Sequence, residues 1–393
     1  MKTLLSSTAI LILMAGTAMA QEGPGNNGNG NGNGNNGGNQ QGAVAEAISQ
    51  TNSLNGQLNL SGMTATLNVV AEDAADIAGT AAAIGNSLSV GAEAGEAAQA
   101  TIESTQENQG QISARLDAEI AGAGDVAATA AAIGNTASMS LDAGGDGALD
   151  ALTSQDNAGA VDATLSAEMS AVGDVAATAA ALGNSAALEA AAGGDSAVEA
   201  VTDQTNTATI AARLDAVIDE AGSVSATAAG IGNSLSETVS ADGAAALDTT
   251  AVQSNTADVT ATLNADLSDL SGGVSATAAA IGNSASGAVS SEEEASGLAS
   301  LDQTNTSRIT ASLNGTLDGV GGDIAMTAAA IGNSASFSVM GGGATMLDST
   351  ISQSNTEAVS ATVNATIREA SGAATATAAA IGNSISVVNG LTQ

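Results

Sequence analysis

Carboxylates are the only abundant acid–base groups in this chain: 41 Asp and Glu stand against five Lys and Arg, with no His and no Cys. Two carboxylates facing each other in a shaped cleft would supply general acid–base or glycosidase chemistry. No Asp or Glu, however, keeps a fixed place beside one local motif through the sequence, and catalysis has no visible seat. Hard oxygens also serve calcium, and the loop Asp142-Ala143-Gly144-Gly145-Asp146-Gly147 has the composition for it. Because Gly-Gly-x-Gly-x-Asp does not recur and no Asp-x-Asp-x-Asp-Gly loop occurs, these stretches read as solvated acidic turns. A threonine column, Thr80, Thr129, Thr178, Thr227, Thr277, Thr327 and Thr377, has the regularity of an ice-binding solenoid. It lacks a second Thr two residues away in most copies, and fits ordinary strand packing.

The carboxamides are different, because they keep step. The run Ile-Gly-Asn-Ser, with Thr136 replacing Ser in one copy and Leu182 replacing Ile in another, places Asn86, Asn135, Asn184, Asn233, Asn283, Asn333 and Asn383 at intervals of 49 or 50 residues. A second marker, Gln-x-Asn, opens at Gln50, Gln106, Gln155, Gln204, Gln253, Gln303 and Gln353, the later six each 20 residues beyond an Ile-Gly-Asn asparagine. A unit repeated with so little drift predicts a stacked array in which each copy buries its apolar edge against its neighbours. In such a stack equivalent residues form columns, and a column of Asn or Gln can donate to one neighbour while accepting from the other.

The elements that must position these amides follow from period-two alternation. Ile112, Ala114, Leu116, Ala118 and Ile120 alternate with Ser113, Arg115, Asp117 and Glu119, and the pattern recurs from Ile210, Val259 and Val359. That is a strand with one buried and one wet face. The wet column Asn68, Asp117, Ser166, Asp215, Asn264, Asn314, Asn364 is polar in every copy, and glycines such as Gly124, Gly173, Gly222 and Gly322 mark the following turn. The Ala-rich stretch before each Ile-Gly-Asn admits two readings. Alanine favours a short helix, with Asp125 as N-cap and Gly134 after its last turn. Direct continuation into Ser334-Ala335-Ser336-Phe337-Ser338-Val339 favours a strand, and a two-turn helix is marginal alone. The reading adopted is all-β: a β-solenoid of seven repeats, with one large or two small coils per repeat. Stacked at 4.7–4.9 Å, seven single coils give a length on the order of 35 Å.

Composition closes other routes. There is one Phe, one Pro, no Trp and no Tyr, so aromatic stacking platforms are absent and the interior must be built from small side chains. A net charge of −36 repels phosphate backbones and anionic membranes. Residues 1–20, with Lys2, the apolar Ile10–Met14 and Ala18-Met19-Ala20, read as a cleavable secretory signal, too short to anchor in a bilayer. Residues 21–42 are Gly, Asn and Gln apart from Glu22 and Pro24, a disordered leader that serves as a linker or as an export tag. The repeat array is assigned to residues 43–393, and no segment in it is apolar enough to span a membrane.

In the signal, the Gly/Asn-rich leader, and recurring positions such as Gln253-Ser254-Asn255 and Ile281-Gly282-Asn283-Ser284-Ala285, the chain resembles the curlin subunits of curli and related secreted functional amyloids. It also looks like the curli-like proteins that anchor the holdfast adhesin of stalked bacteria. Curlin repeats are about half as long and carry Gln-x-Gly-x4-Asn-x-Ala, whereas here Gln is followed by x-Asn. The resemblance implies a bacterial, extracellular or cell-surface protein, export through an outer-membrane pore, and self-association or association with related fibre subunits. Together the residues and the resemblance predict a non-catalytic structural subunit for attachment or matrix that needs no cofactor and assembles by strand stacking. The other class is a monomeric acidic solenoid that binds surface polysaccharide or divalent cations through its loops. A third state keeps the repeats disordered until nucleated, because alanine-rich strands bury little area.

Overall fold

The computed structural model describes residues 49–391; the signal and the Gly/Asn-rich leader lie outside them. Each repeat forms one coil of three strands. The first coil is β1 (Ser49–Asn59), β2 (Met63–Glu72) and β3 (Ile77–Ala94); the second is β4 (Ala98–Asn108), β5 (Ile112–Ala121) and β6 (Val126–Ala143). The third and fourth are β7 (Gly147–Asn157), β8 (Val161–Ser170), β9 (Val175–Ala192), then β10 (Ser196–Asn206), β11 (Ile210–Asp219) and β12 (Val224–Ala241). The fifth and sixth are β13 (Ala245–Asn255), β14 (Val259–Leu270), β15 (Val274–Ser291), then β16 (Ala295–Asn305), β17 (Ile309–Val320) and β18 (Ile324–Gly341). The seventh is β19 (Thr345–Asn355), β20 (Val359–Arg368) and β21 (Ala374–Leu391).

Equivalent strands pair in parallel and in register, giving three sheets of seven strands: the first from β1 to β19, the second from β2 to β20, the third from β3 to β21. The fold is thus an all-β solenoid with one coil per repeat. The Ala-rich stretch is strand throughout, the first half of the 18-residue strands of the third sheet. Helix propensity loses because the segment's partners lie in the coils above and below, where a full ladder of backbone hydrogen bonds and a buried alanine face are available.

Those long strands change face midway. In β12, Val224, Ala226 and Ala228 point inward, then Asn233, Leu235 and Val239 do so, and the ladder passes from Ile231↔Ile281 to Asn233↔Asn283 without pairing Gly232. A Cβ on Gly232 would lie 2.5 Å from the carbonyl oxygen of Gly282 and 2.9 Å from Asn255 Oδ1, so only glycine permits this close approach. The switch divides the interior. The first half of each third-sheet strand packs on the second sheet, in a core of residues such as Leu116, Leu165, Ile210 and Leu263 against Ala130, Ala179 and Ala228. The second half packs on the first sheet, around Ile102, Leu149, Leu188, Leu235 and Phe337.

The corner after the second sheet turns through a left-handed residue at one equivalent place per coil: Asp73, Gly122, Ala171, Glu220, Asp269, Gly319 and Glu369, with φ between 50° and 68°. The glycines singled out by the sequence pattern lie two or three residues further on. They answer a different need: Gly173, for example, sits so close to the previous coil that a Cβ would lie 2.6 Å from Asp125 Oδ1.

Candidate functional site: the amide columns and the open ends

Where the two cores meet, each coil places three carboxamides. Asn135 enters from the middle of the third sheet, and Gln106 and Asn108 from the end of the first, all almost fully buried. Down the third sheet, Asn86, Asn135, Asn184, Asn233, Asn283 and Asn333 each donate through Nδ2 to Oδ1 of the asparagine one coil on, at 2.8 Å, the last to Asn383. The other Nδ2 hydrogen crosses to the first sheet, as from Asn233 to the carbonyl of Ser254 at 2.9 Å. The glutamines run the opposite way: Gln106, Gln155, Gln204, Gln253, Gln303 and Gln353 each donate through Nε2 to Oε1 one coil back, at 2.7–2.8 Å. Their second hydrogen reaches a third-sheet carbonyl, as from Gln204 to Ser234 at 2.8 Å. Each amide therefore ties its coil to a neighbour and one sheet to another, at a place where an unpaired polar group would be costly.

A third column, from Asn59 through Asn108, Asn157, Asn206, Asn255 and Asn305 to Asn355, donates in the same direction as the first, at 2.6–2.8 Å. It is the closing residue of Gln-x-Asn, and the motif itself was its signal. Gln50 does not belong with the other glutamines. It pairs in register with Gln99, is exposed, and makes only a 3.4 Å contact with Gln99 Oε1. The first coil's member is Gln57, which accepts from Gln106. The physical reason is register: Gln57-Leu58-Asn59 lies 49 residues before Gln106, whereas Gln50 lies 56 before it.

Carboxylates take part at the corners rather than in a cleft. Asp76, Asp125 and Asp174 each accept the backbone N–H of the equivalent residue one coil on, at 3.1, 2.9 and 2.7 Å. Arg115 and Arg213 pair with Asp117 and Asp215 on the outer face of the second sheet, at 2.6 and 2.5 Å. Among the described residues no group of three or more acids is placed to hold a metal ion. One acid is internal. Glu237 is 1% exposed in the core between the first and third sheets, accepts from the Thr249 hydroxyl at 2.9 Å, and has its Oε2 unpartnered. Burial pushes its pKa up to about 7, against a smaller lowering by the Thr249 hydrogen bond.

Among the described residues the amide columns are open at both ends. At the C-terminal coil Gln353 Oε1 is buried without a donor, and no asparagine beyond Asn355 and Asn383 receives their amides. At the first coil, Gln57 Nε2 has no earlier glutamine to donate to, and Asn59 and Asn86 have no earlier asparagine, among the described residues. Among the described residues no strand pairs beyond β19, β20 and β21 either, and Ile385 and Leu391 are exposed there.

A parallel in-register stack held by buried amide columns defines a repeat protein of the β-solenoid class. The chain belongs to the holdfast attachment protein D family, whose model matches residues 27–241 and again 236–391. No curated protein and no solved structure matches it.

Proposed function

We propose that this is an exported, non-catalytic attachment protein of the bacterial surface that assembles end to end, in the manner of a curli-like subunit. Membership of a holdfast attachment family supports a cell-surface or extracellular place and an attachment role. The observation that carries the assembly is the complementarity of the two ends. The C-terminal coil offers an acceptor at Gln353 Oε1 and amide donors at Asn355 and Asn383; the first coil offers a donor at Gln57 Nε2 and acceptors at Asn59 and Asn86 Oδ1. Because the glutamine and asparagine columns donate in opposite directions, one head-to-tail step satisfies all three at once. The unpaired edges of β19–β21 and β1–β3 would continue the three ladders across the junction. The signal at 1–20 and the leader at 21–42 fit a subunit kept soluble by its acidic surface until it passes an outer-membrane pore.

Ile385→Asp tests this. Ile385 is 52% exposed on the last coil but lies in the inward column of Leu235, Ala285 and Ala335, so a carboxylate there would be buried only on stacking. By electron microscopy across a concentration series, the parent chain is expected to give filaments above a threshold and the variant single particles with an unchanged β-sheet circular dichroism spectrum. Filaments from both, or from neither, would refute end-to-end stacking.

A further inference from the structure

The outer face of the third sheet is where this strongly acidic chain is nearly uncharged. Along β3, β6 and β9 its only ionisable outward side chains are Glu93, Asp142 and Glu189, and along β12, β15, β18 and β21 there are none. What faces outward is a set of straight columns of small residues: threonine from Thr80 to Thr377, alanine from Ala82 to Ala379, and two largely of serine starting at Ser87 and Ser89. Between them runs an aliphatic column from Ile84 to Ile381, 39% and 38% exposed at its two ends but only 8% at Ile231 and Ile281, so it lies low between its neighbours. The other two outer faces differ. Every first-sheet strand after β1 carries an outward acid, such as Glu103, Asp150, Glu199 or Asp348, and the second sheet carries Asp117, Asp162, Asp215, Asp266 and Asp318.

We infer that the third-sheet face is a lateral interface that pairs with the same face of a second copy. Charge selects both the face and the partner. Two chains of −36 repel wherever their first or second sheets meet, whereas this face brings only Glu93, Asp142 and Glu189 of the first three coils toward a partner and no carboxylate from β12, β15, β18 or β21. Area is sufficient: strands of 18 residues span roughly 60 Å before bending, and seven coils rise about 30 Å, well above the roughly 800 Å² per partner of a stable interface. Periodicity favours an identical copy, since only another in-register stack repeats its ridges every ~4.8 Å and lets small-residue columns interdigitate along the whole face as in a dry zipper. A sugar polymer would find no aromatic platform here and no charge beyond Glu93, Asp142 and Glu189. This inference does not rest on end-to-end stacking.

The test uses the Ile385→Asp chain, so that lateral pairing is read without end-to-end growth, and measures mass by sedimentation over a concentration series. A two-chain species is expected. Adding Thr277→Arg or Ser286→Arg, both outward on β15, is expected to raise its dissociation constant about tenfold or more, while Thr262→Arg on the outer face of β14 leaves it unchanged. Single chains at every concentration would overturn the inference. So would pairing that Thr277→Arg and Ser286→Arg leave intact while both variants keep the parent circular dichroism spectrum, or that Thr262→Arg weakens equally.

Discussion

Asn233→Leu is expected to be among the most destabilising single changes in the molecule. Its side chain, 0% exposed, accepts from Asn184 at 2.8 Å and donates to Asn283 at 2.8 Å and to the Ser254 carbonyl at 2.9 Å. Leucine removes all three bonds and strands their partners between two apolar cores. Each orphaned buried group costs ~1–3 kcal/mol, so a loss on the order of 3 kcal/mol or more follows. Because a solenoid holds together through nearest-neighbour contacts, the damage falls on the joint between the third, fourth and fifth coils. Urea unfolding should show a lowered midpoint, or a split into two transitions. The same change at Asn383, on the exposed last coil, forfeits only the bond from Asn333 at 2.8 Å and a long 3.3 Å contact, and should shift the midpoint far less. Equal effects at the two positions would mean that the amide columns do not carry the stack.

Glu237 gives the second large effect, and its sign is opposite. The strands around it turn Leu188, Ala200, Thr249, Gly287 and Ala299 toward the same core, while the acids nearest on those strands, Glu189, Glu199, Asp203 and Asp248, face outward. No cation faces it, and burial holds the carboxyl protonated until pH reaches about 7, against an ordinary value of 4.5. The folded state therefore keeps a proton that the unfolded chain releases. The associated stability is intact below about 4.5, falls as pH rises through the interval, and is lost above about 7, a difference of about 3 kcal/mol. Glu237→Met, similar in volume, removes the titrating group at the expense of the Thr249 bond, ~1 kcal/mol. At pH 8 the variant should exceed the parent by about 2 kcal/mol, and below about pH 4.5 it should fall short of it by ~1 kcal/mol, the order reversing in between. Subtracting the two stability curves cancels the repulsion among the other acids. A pH-independent difference would contradict the buried, neutral carboxyl.

Much of the architecture was legible because it rests on two periods. Alternation at 112–120 and its copies gave the second-sheet strands, and the 49–50-residue step gave coils in register. The Ala-rich stretch was ambiguous because its composition reports local propensity while its partners lie a full coil away. The number of coils per repeat was open for a related reason: the turn glycines do not reveal that residues 126–143 run as one strand with a change of face at Gly134. Gln50 was misplaced because a three-residue motif occurs twice in the first coil, at 50 and at 57, and only the spacing distinguishes them. The division into two cores, and the lone Glu237 in a column otherwise held by Val90, Met139, Leu188, Gly287, Phe337 and Val387, could not be read before the pairing partners were known.

The most direct test of the central claim is the structure of the filaments by electron cryomicroscopy, on protein beginning at residue 21. Three β-ladders are expected to run unbroken through the junction, seven coils per subunit, with Gln353 of one copy receiving Gln57 of the next. Filaments joined through other surfaces, with the ladders interrupted at β19–β21, or uniform particles at every concentration, would contradict it.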